Sequence, residues 1–318
     1  MFRAHLPILA LLLLSATVRL PAVDNPGGWF KHPDPVLGGQ YGTCFDICVL
    51  HEDGVYRMWM SWRGKRSIAV VTSADGLAWS EPRIVLGPAA VGWADDINRP
   101  VVLHRADGYH LWFTGQNGGQ RSRIGYATSP DGLVWKQAAP EPVLSVDQSW
   151  EKVAVMNPHV LWDEQHAQYR MWYSGGENYE PNAIGHATSP DGVTWTKAAA
   201  NPVFTPDAAI PWEHARVAGC QVIARDGWFV IFYIGYRDID HAQVGVARSR
   251  DGLGGWQRNP ANPIVRSGTG QWDDDACYKP FAICEGGNWL LWYNGRKGSL
   301  EQIGVVTHAG DDLGFPAP

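Results

Sequence analysis

The 318-residue sequence predicts an all-β fold, a five-bladed β-propeller of four-stranded antiparallel blades whose last blade is closed by the N-terminal strand. Three observations predict it. With 36 Gly, 22 Pro and 17 Trp, the chain is rich in turns and large aromatic side chains and poor in long helix-forming stretches. A Ser-x-Asp-Gly turn followed by tryptophan recurs as Ser73-Asp75-Gly76-Trp79, Ser129-Asp131-Gly132-Trp135, Ser189-Asp191-Gly192-Trp195 and Ser249-Asp251-Gly252-Trp256. The outer strand that the last repeat lacks stands at the opposite end of the chain.

Each repeat reads as four strands. The first is short and apolar, around Ile47, Val101, Val160, Val222 and Phe281. The second is aromatic, at 56–62, 109–115, 169–175, 228–235 and 289–295. The third alternates, at 68–73, 124–129, 183–189, 244–249 and 303–308, and Asp-Gly is a strong signal for the hairpin that follows it. The fourth runs from Trp135 to Pro142-Val143-Leu144, from Trp195 to Pro202-Val203-Phe204, and from Trp256 to Pro263-Ile264-Val265. The fifth repeat ends at Phe315-Pro316 without such a strand, and its copy is Trp29 followed by Pro35-Val36-Leu37. Pairing these ends removes the open edge of the ring.

Residues 23–318 form a single domain in this reading. Before it, Arg3 and His5 precede an apolar run over 6–14, and Ser15, Ala16 and Ala22 supply small residues for cleavage. Residues 1–22 therefore read as a signal peptide, which implies a secreted or periplasmic protein. Hydrophobic residues make up 45% and charged residues 18%, as in a globular domain, and the net charge of -6 gives no case for nucleic acid or an anionic membrane. Five cysteines (Cys44, Cys48, Cys220, Cys277 and Cys284) leave at least one without an intramolecular partner. A bridge from Cys44 or Cys48 to Cys277 or Cys284 would join the closing blades. Their spacing matches no metal site.

Loops joining second to third strands lie on one face, and the Ser-x-Asp-Gly turns lie on the other. The turns read as structural, with Ser and Asp capping the backbone, which removes their aspartates from the catalytic candidates. The opposite face carries Arg63, Lys65, Arg66, Gln116, Asn117, Arg121, Glu177, Asn178, Tyr179, Arg237, Asp238, Asp240, His241, Arg296 and Lys297. Acidic approaches to the first strands meet it: Trp93 before Asp95 and Asp96, Trp150 before Glu151, Trp212 before Glu213, and Trp272 before Asp273. In the first repeat the pattern breaks, and Asp46 lies inside the first strand. Alternation places Cys44, Asp46 and Cys48 on one side and Phe45, Ile47 and Val49 on the other. At the corresponding place the other repeats carry Arg99, Asn157-Pro158, Ala218 and Lys279. A carboxylate there needs partners or a solvent-filled channel, so these residues form either a buried ion-pair cluster or a substrate pocket.

A carboxylate early in the first strand of blade one, and a Trp-Glu ahead of blade four, resemble the β-furanosidase-type propeller glycosidases of glycoside hydrolase families 43 and 32. The Ser-x-Asp-Gly-x-x-Trp texture is similar to that of family 130. The resemblance implies a blade-one Asp as base or nucleophile, a blade-three Asp that orients substrate, and a blade-four Glu as acid. On that basis Asp46 takes the first role and Glu213 the last. Asn157 stands where an Asp-Pro is expected, keeping a hydrogen bond but no charge, so either Glu151 compensates or the triad is incomplete. Asp96, Arg99, Asn157, His159, His214, Lys279 and Arg296 are the expected substrate-binding residues. The implied activity is a glycoside hydrolase for furanosides or short oligosaccharides, working with two carboxyl groups in opposite protonation states. Its partner is an oligosaccharide or polysaccharide; no cofactor or catalytic metal is called for, and a structural calcium stays open. Two alternatives stand beside it: a non-catalytic carbohydrate-binding propeller, suggested by Asn157, and a glycoside phosphorylase, suggested by Arg99, Lys279 and Arg296.

Overall fold

A computed structural model of the chain describes residues 23–118, 121–177 and 181–317. The expected signal peptide and the mouth residues Asn178 and Tyr179 lie outside the described residues. Apart from short 3-10 turns, the regular structure described is β.

Three sheets are four-stranded antiparallel meanders in chain order. The first contains β3 (Cys44–Glu52), β4 (Val55–Trp62), β5 (Ser67–Ser73) and β6 (Arg83–Leu86). The second contains β7 (Asp96–Arg105), β8 (Gly108–Asn117), β9 (Arg121–Ser129) and β10 (Lys136–Gln137). The third contains β11 (Ala154–Asp163), β12 (Gln168–Gly176), β13 (Pro181–Ser189) and β14 (Thr196–Lys197).

The remaining strands form one nine-stranded sheet. It contains a meander of β15 (Arg216–Arg225), β16 (Trp228–Tyr236), β17 (Ala242–Ser249) and β18 (Gln257–Arg258). A second meander, β19 (Ala276–Glu285), β20 (Asn288–Lys297) and β21 (Leu300–Ala309), continues into β2 (Trp29–Lys31) and then β1 (Val23–Asn25). One parallel pairing, Ala242 with Ala276, joins the two meanders. Trp29 pairs with His308, and Leu37 bridges to Ile303 as Leu144 does to Ile124, Phe204 to Ile184 and Val265 to Val244. The N-terminal segment thus supplies the outer strand missing from the last repeat.

The Ser-x-Asp-Gly turns are built as their chemistry requires. Ser73 Oγ accepts the Gly76 N–H at 2.9 Å, and Asp75 Oδ1 accepts the Leu77 and Ala78 N–H groups at 2.8 and 2.9 Å. These donors hold the Asp75 carboxyl below its ordinary pKa. The glycine is needed twice over: Gly76 sits at φ +74, and a Cβ there would come within 2.7 Å of Trp292. Its carbonyl accepts the Trp292 indole N–H at 2.8 Å, and the same bond runs from Trp59 to Gly132, Trp112 to Gly192 and Trp172 to Gly252. One sheet's aromatic second strand is thereby pinned under the next sheet's turn. The Trp292–Gly76 bond links the last sheet to the first.

Candidate functional site

The first strand of every repeat carries a β-bulge at the same place. The bulged residues are Asp46, Arg99, Asn157, Gly219 and Lys279, with φ of 48°, 55°, 52°, 32° and 39°, and the pairing with the second strand slips at each. A left-handed backbone at a non-glycine residue costs about 1–3 kcal/mol and persists only where its surroundings enforce it. Here the preceding sheet does so. Asn294 Oδ1, Ser61 Oγ, Thr114 Oγ1 and Ser174 Oγ accept the N–H groups of Asp46, Arg99, Asn157 and Gly219 at 3.0, 2.7, 3.1 and 2.8 Å. Simple alternation fails at the bulge, which corrects the expected sidedness: Phe45 and Asp46 line the same hollow. It also moves the fourth repeat's member of the set from Ala218 to Gly219.

That hollow, of about 270 Å³, brings Asp46 together with Arg63, Arg99, Asn157, Asn294 and Glu301, walled by Phe45, Ile234, Tyr236 and Tyr278. The Arg99 guanidinium lies 3.3 Å from Asp46 Oδ2, and the Arg63 guanidinium lies 3.0 Å from Glu301 Oε2. Asn157 is buried, and its Oδ1 has no partner. A buried polar atom without a partner calls for an explanation, and Asn157 lines the hollow. A second hollow of about 320 Å³ shares Phe45, Arg63 and Arg99 with the first and adds Arg66, Asp95, Asp96, Asn98, Gln116 and Gly118. The expected pair Asp46 and Arg99 meets here, with Asn157 beside them and Asp96 next door.

Glu213 and Glu151 are corrections. Both are fully buried and line neither hollow. Glu213 accepts the Tyr233 hydroxyl and pairs with Arg258 Nε at 2.6 Å. Glu151 accepts the Tyr173 hydroxyl at 2.7 Å and pairs with Lys197 at 2.7 Å. Asp273 repeats the arrangement with Tyr293 at 2.7 Å and Lys31 at 2.6 Å. Burial does push the Glu213 carboxyl above its ordinary pKa, against the pull of Tyr233 and Arg258, but no cleft reaches it. The tryptophan before each acid lies over a pair of bare glycines: Trp150 over Gly175 and Gly185, Trp212 over Gly235 and Gly245, Trp272 over Gly295 and Gly304. Trp93 covers Gly115 and Gly125 likewise, and the acid's place there is taken by Ala94, Tyr's by Phe113 and the cation's by Gln137. All three members are replaced together, as expected of a packing unit.

Four substrate-binding expectations also shift. His159 lies at the other end of the first strands, in an apolar cavity, with a ring nitrogen 2.8 Å from Val222 O; burial pushes its pKa down to about 3. His214 is exposed and bonded to Pro211 O at 2.8 Å. Lys279 is buried outside the hollow, and burial lowers its pKa against the attraction of Asp46. Arg296 donates to the Tyr278 hydroxyl at 2.7 Å and to Asp240 O at 2.6 Å, so it braces the wall. Glu301 and Asn294 escaped sequence reasoning. The available signal was variation: the place in the repeat held by Glu301 carries Arg66, Ser122, Asn182 and Ala242 in the others. The five cysteines are free thiols, which overturns the expected bridge.

With this geometry in hand, the sequence profile of the glycosyl hydrolases family 43 matches residues 33–310. The chain belongs to glycosyl hydrolase family 43. Among solved structures, a glycoside hydrolase superposes with a TM-score of 0.73 at 18% identity, covering 91% of this chain and 96% of the other. A thermostable family-43 glycoside hydrolase gives 0.68 at 17%, covering 88% and 97%. An exo-1,5-alpha-L-arabinanase from a bovine ruminal metagenomic library gives 0.61 at 18%, covering 83% and 92%. An uncharacterized protein of Mycobacterium tuberculosis, MT1551, is 31% identical over 149 residues, 44% of this chain. The chain spans about half the length of the curated relatives it matches.

Proposed function

We propose that this family 43 member hydrolyses glycosidic bonds in short, neutral oligosaccharides at the Asp46 hollow. The observation that carries the reading is the placement of Asp46, a carboxylate held by a left-handed bulge in a hollow with Arg99, the orphaned Asn157 acceptor and a second carboxyl group, Glu301. Asp46, beside Arg99, is the ionised carboxylate at the anomeric carbon. Asn157 and Arg99 hold sugar hydroxyls. Glu301 takes the place of the buried Glu213 as the second carboxyl group, and it can protonate the leaving oxygen only once bound substrate draws it off its ion pair with Arg63. The furanosidic preference is supported by the family and by the arabinanase among its structural neighbours.

The scaffold belongs to this proposal too. Five blades around one axis, with the first strands innermost and β2 completing the last blade, account for the repeated tryptophan-to-glycine bonds and for Trp292 on Gly76. Residues 1–22 are read as an export leader, which N-terminal sequencing of the secreted protein checks.

The test is a screen of disaccharides and p-nitrophenyl glycosides, α-1,5-arabinobiose first. Asp46→Asn should lose at least a thousandfold in kcat with its fold intact. Glu301→Gln should lose rate on disaccharides and keep most of it on activated aryl glycosides, where little protonation is required. Full turnover in Asp46→Asn would end the reading.

A further inference from the structure

Beside the Asp46 hollow lies the second polar hollow of about 320 Å³, and the two meet at Arg63, Arg99 and Phe45. We infer that this second hollow is the seat of the leaving group, built for a neutral polyhydroxylated sugar rather than an apolar aglycone, with Asp96 and Arg66 as its specificity-determining residues. The inference rests on the hydrolytic reading and names the class of leaving group.

Three features carry it. The first is a hydrogen-bond relay from one hollow to the other. Arg99 Nε lies 3.3 Å from Asp46, while its Nη1 donates to Asn98 Oδ1 at 2.6 Å. Asn98 Nδ2 in turn donates to Asp96 Oδ1 at 3.0 Å and Gln116 Oε1 at 3.2 Å. Asp96 is thereby oriented by the buried Asn98 amide, which Gln116 holds in place. Asp95 is fixed by the Gly118 N–H at 2.9 Å.

The second feature is charge balance. Across both hollows, Arg63, Arg66 and Arg99 face Asp46, Asp95, Asp96 and Glu301. Three cations against four carboxylates give no positive field for an anionic substrate. Guanidinium and carboxylate groups of both signs suit vicinal hydroxyls, which donate and accept at once. The third is position within the repeat. Arg66, just before β5, and Glu301, in β21, hold the same place in the repeat, and the other repeats carry Ser122, Asn182 and Ala242 there, so the repeat does not dictate either residue.

The experiment compares kcat/KM for α-1,5-arabinobiose with that for p-nitrophenyl α-L-arabinofuranoside, which share the sugar at Asp46 and differ in the leaving group. Asp96→Ala and Arg66→Ala should each lower the disaccharide-to-aryl ratio by roughly tenfold to a hundredfold, the effect of losing a charged hydrogen bond. Equal losses on both substrates, or no loss, would overturn the inference. Calorimetric titration of Asp46→Asn with arabinobiose separates it from the reading beneath it. If wild type cleaves neither compound, hydrolysis fails as the function; binding that is then weakened by Arg66→Ala still upholds the second hollow. Absence of binding overturns both.

Discussion

Replacing Glu213 with alanine separates a scaffold carboxylate from a catalytic one. Glu213 is fully buried; its Oε1 lies 2.6 Å from Arg258 Nε and its Oε2 takes the hydroxyl proton of buried Tyr233. Removing one partner of a buried pair costs about 3–5 kcal/mol. Arg258 retains 21% exposure and can rehydrate, which places the loss near the lower end, about 3 kcal/mol. For a domain of this size that corresponds to a fall in Tm of roughly 5 °C. The second repeat shows the remedy, because Ala94, Phe113 and Gln137 stand in place of acid, tyrosine and cation. The triple variant Glu213→Ala, Tyr233→Phe, Arg258→Gln should therefore be more stable than Glu213→Ala alone. Urea unfolding followed by tryptophan fluorescence reads both stabilities, and aryl-glycoside turnover well below the melting range should stay within a few fold of wild type. A thousandfold loss of kcat in a variant of undiminished stability would show that Glu213 is the acid after all and that the packing argument is wrong.

Three further outcomes are expected. Gly76→Ala should cost about 2–3 kcal/mol, because its Cβ meets Trp292 at 2.7 Å, whereas Gly54→Ala at φ +76 with open space around it should cost about 1 kcal/mol; matched urea titrations report the difference. Unfolded His159 takes up a proton near pH 6.5 while the native ring resists until about 3, so the unfolded state binds more protons between those values. Wild type should lose stability as pH falls through that window, and His159→Gln should lose less, as measured by denaturation midpoints at stepped pH. Cys44, Cys48, Cys220 and Cys277 are buried and Cys284 is half-buried, so a thiol reagent should titrate at most one group in native protein and five after unfolding. Fewer than five on unfolding would mean that a disulfide forms.

The repeat made the scaffold legible and hid the site, for one physical reason. Side chains that recur in every unit serve the unit: Ser73, Asp75 and Gly76 form a turn whose hydrogen bonds are local, and their spacing alone exposes it. The Trp29-to-Leu37 segment was readable as an outer strand because it repeats the pattern of Trp135 to Leu144, and it pairs with β21 accordingly. The same logic should have demoted Glu213, since a Trp-acid pair present before three first strands is itself a recurrence. The resemblance to a blade-four acid points to Glu213 all the same, because sequence cannot distinguish an acid beside a cleft from one sealed behind its tryptophan. The bulge was illegible for a different reason. Its left-handed residues are Asp, Arg, Asn, Gly and Lys, four of them with no glycine signal, and the hydroxyls and amides that enforce it sit on the neighbouring sheet at Ser61, Thr114, Ser174 and Asn294. A strain imposed across sheets leaves no local trace. Its product is a position where backbone geometry is constant and the side chain is free to vary, and the proposed chemistry follows that variation: on that reading Asp46 reacts and Arg99 and Asn157 hold, while Gly219 has no side chain at all. Ile234 fills the space at Gly219, 2.6 Å from where a Cβ would stand, so the fourth sheet has no room there for an acid, which is why the proposed reading turns to Glu301, on another sheet of the same hollow, for the second carboxyl group.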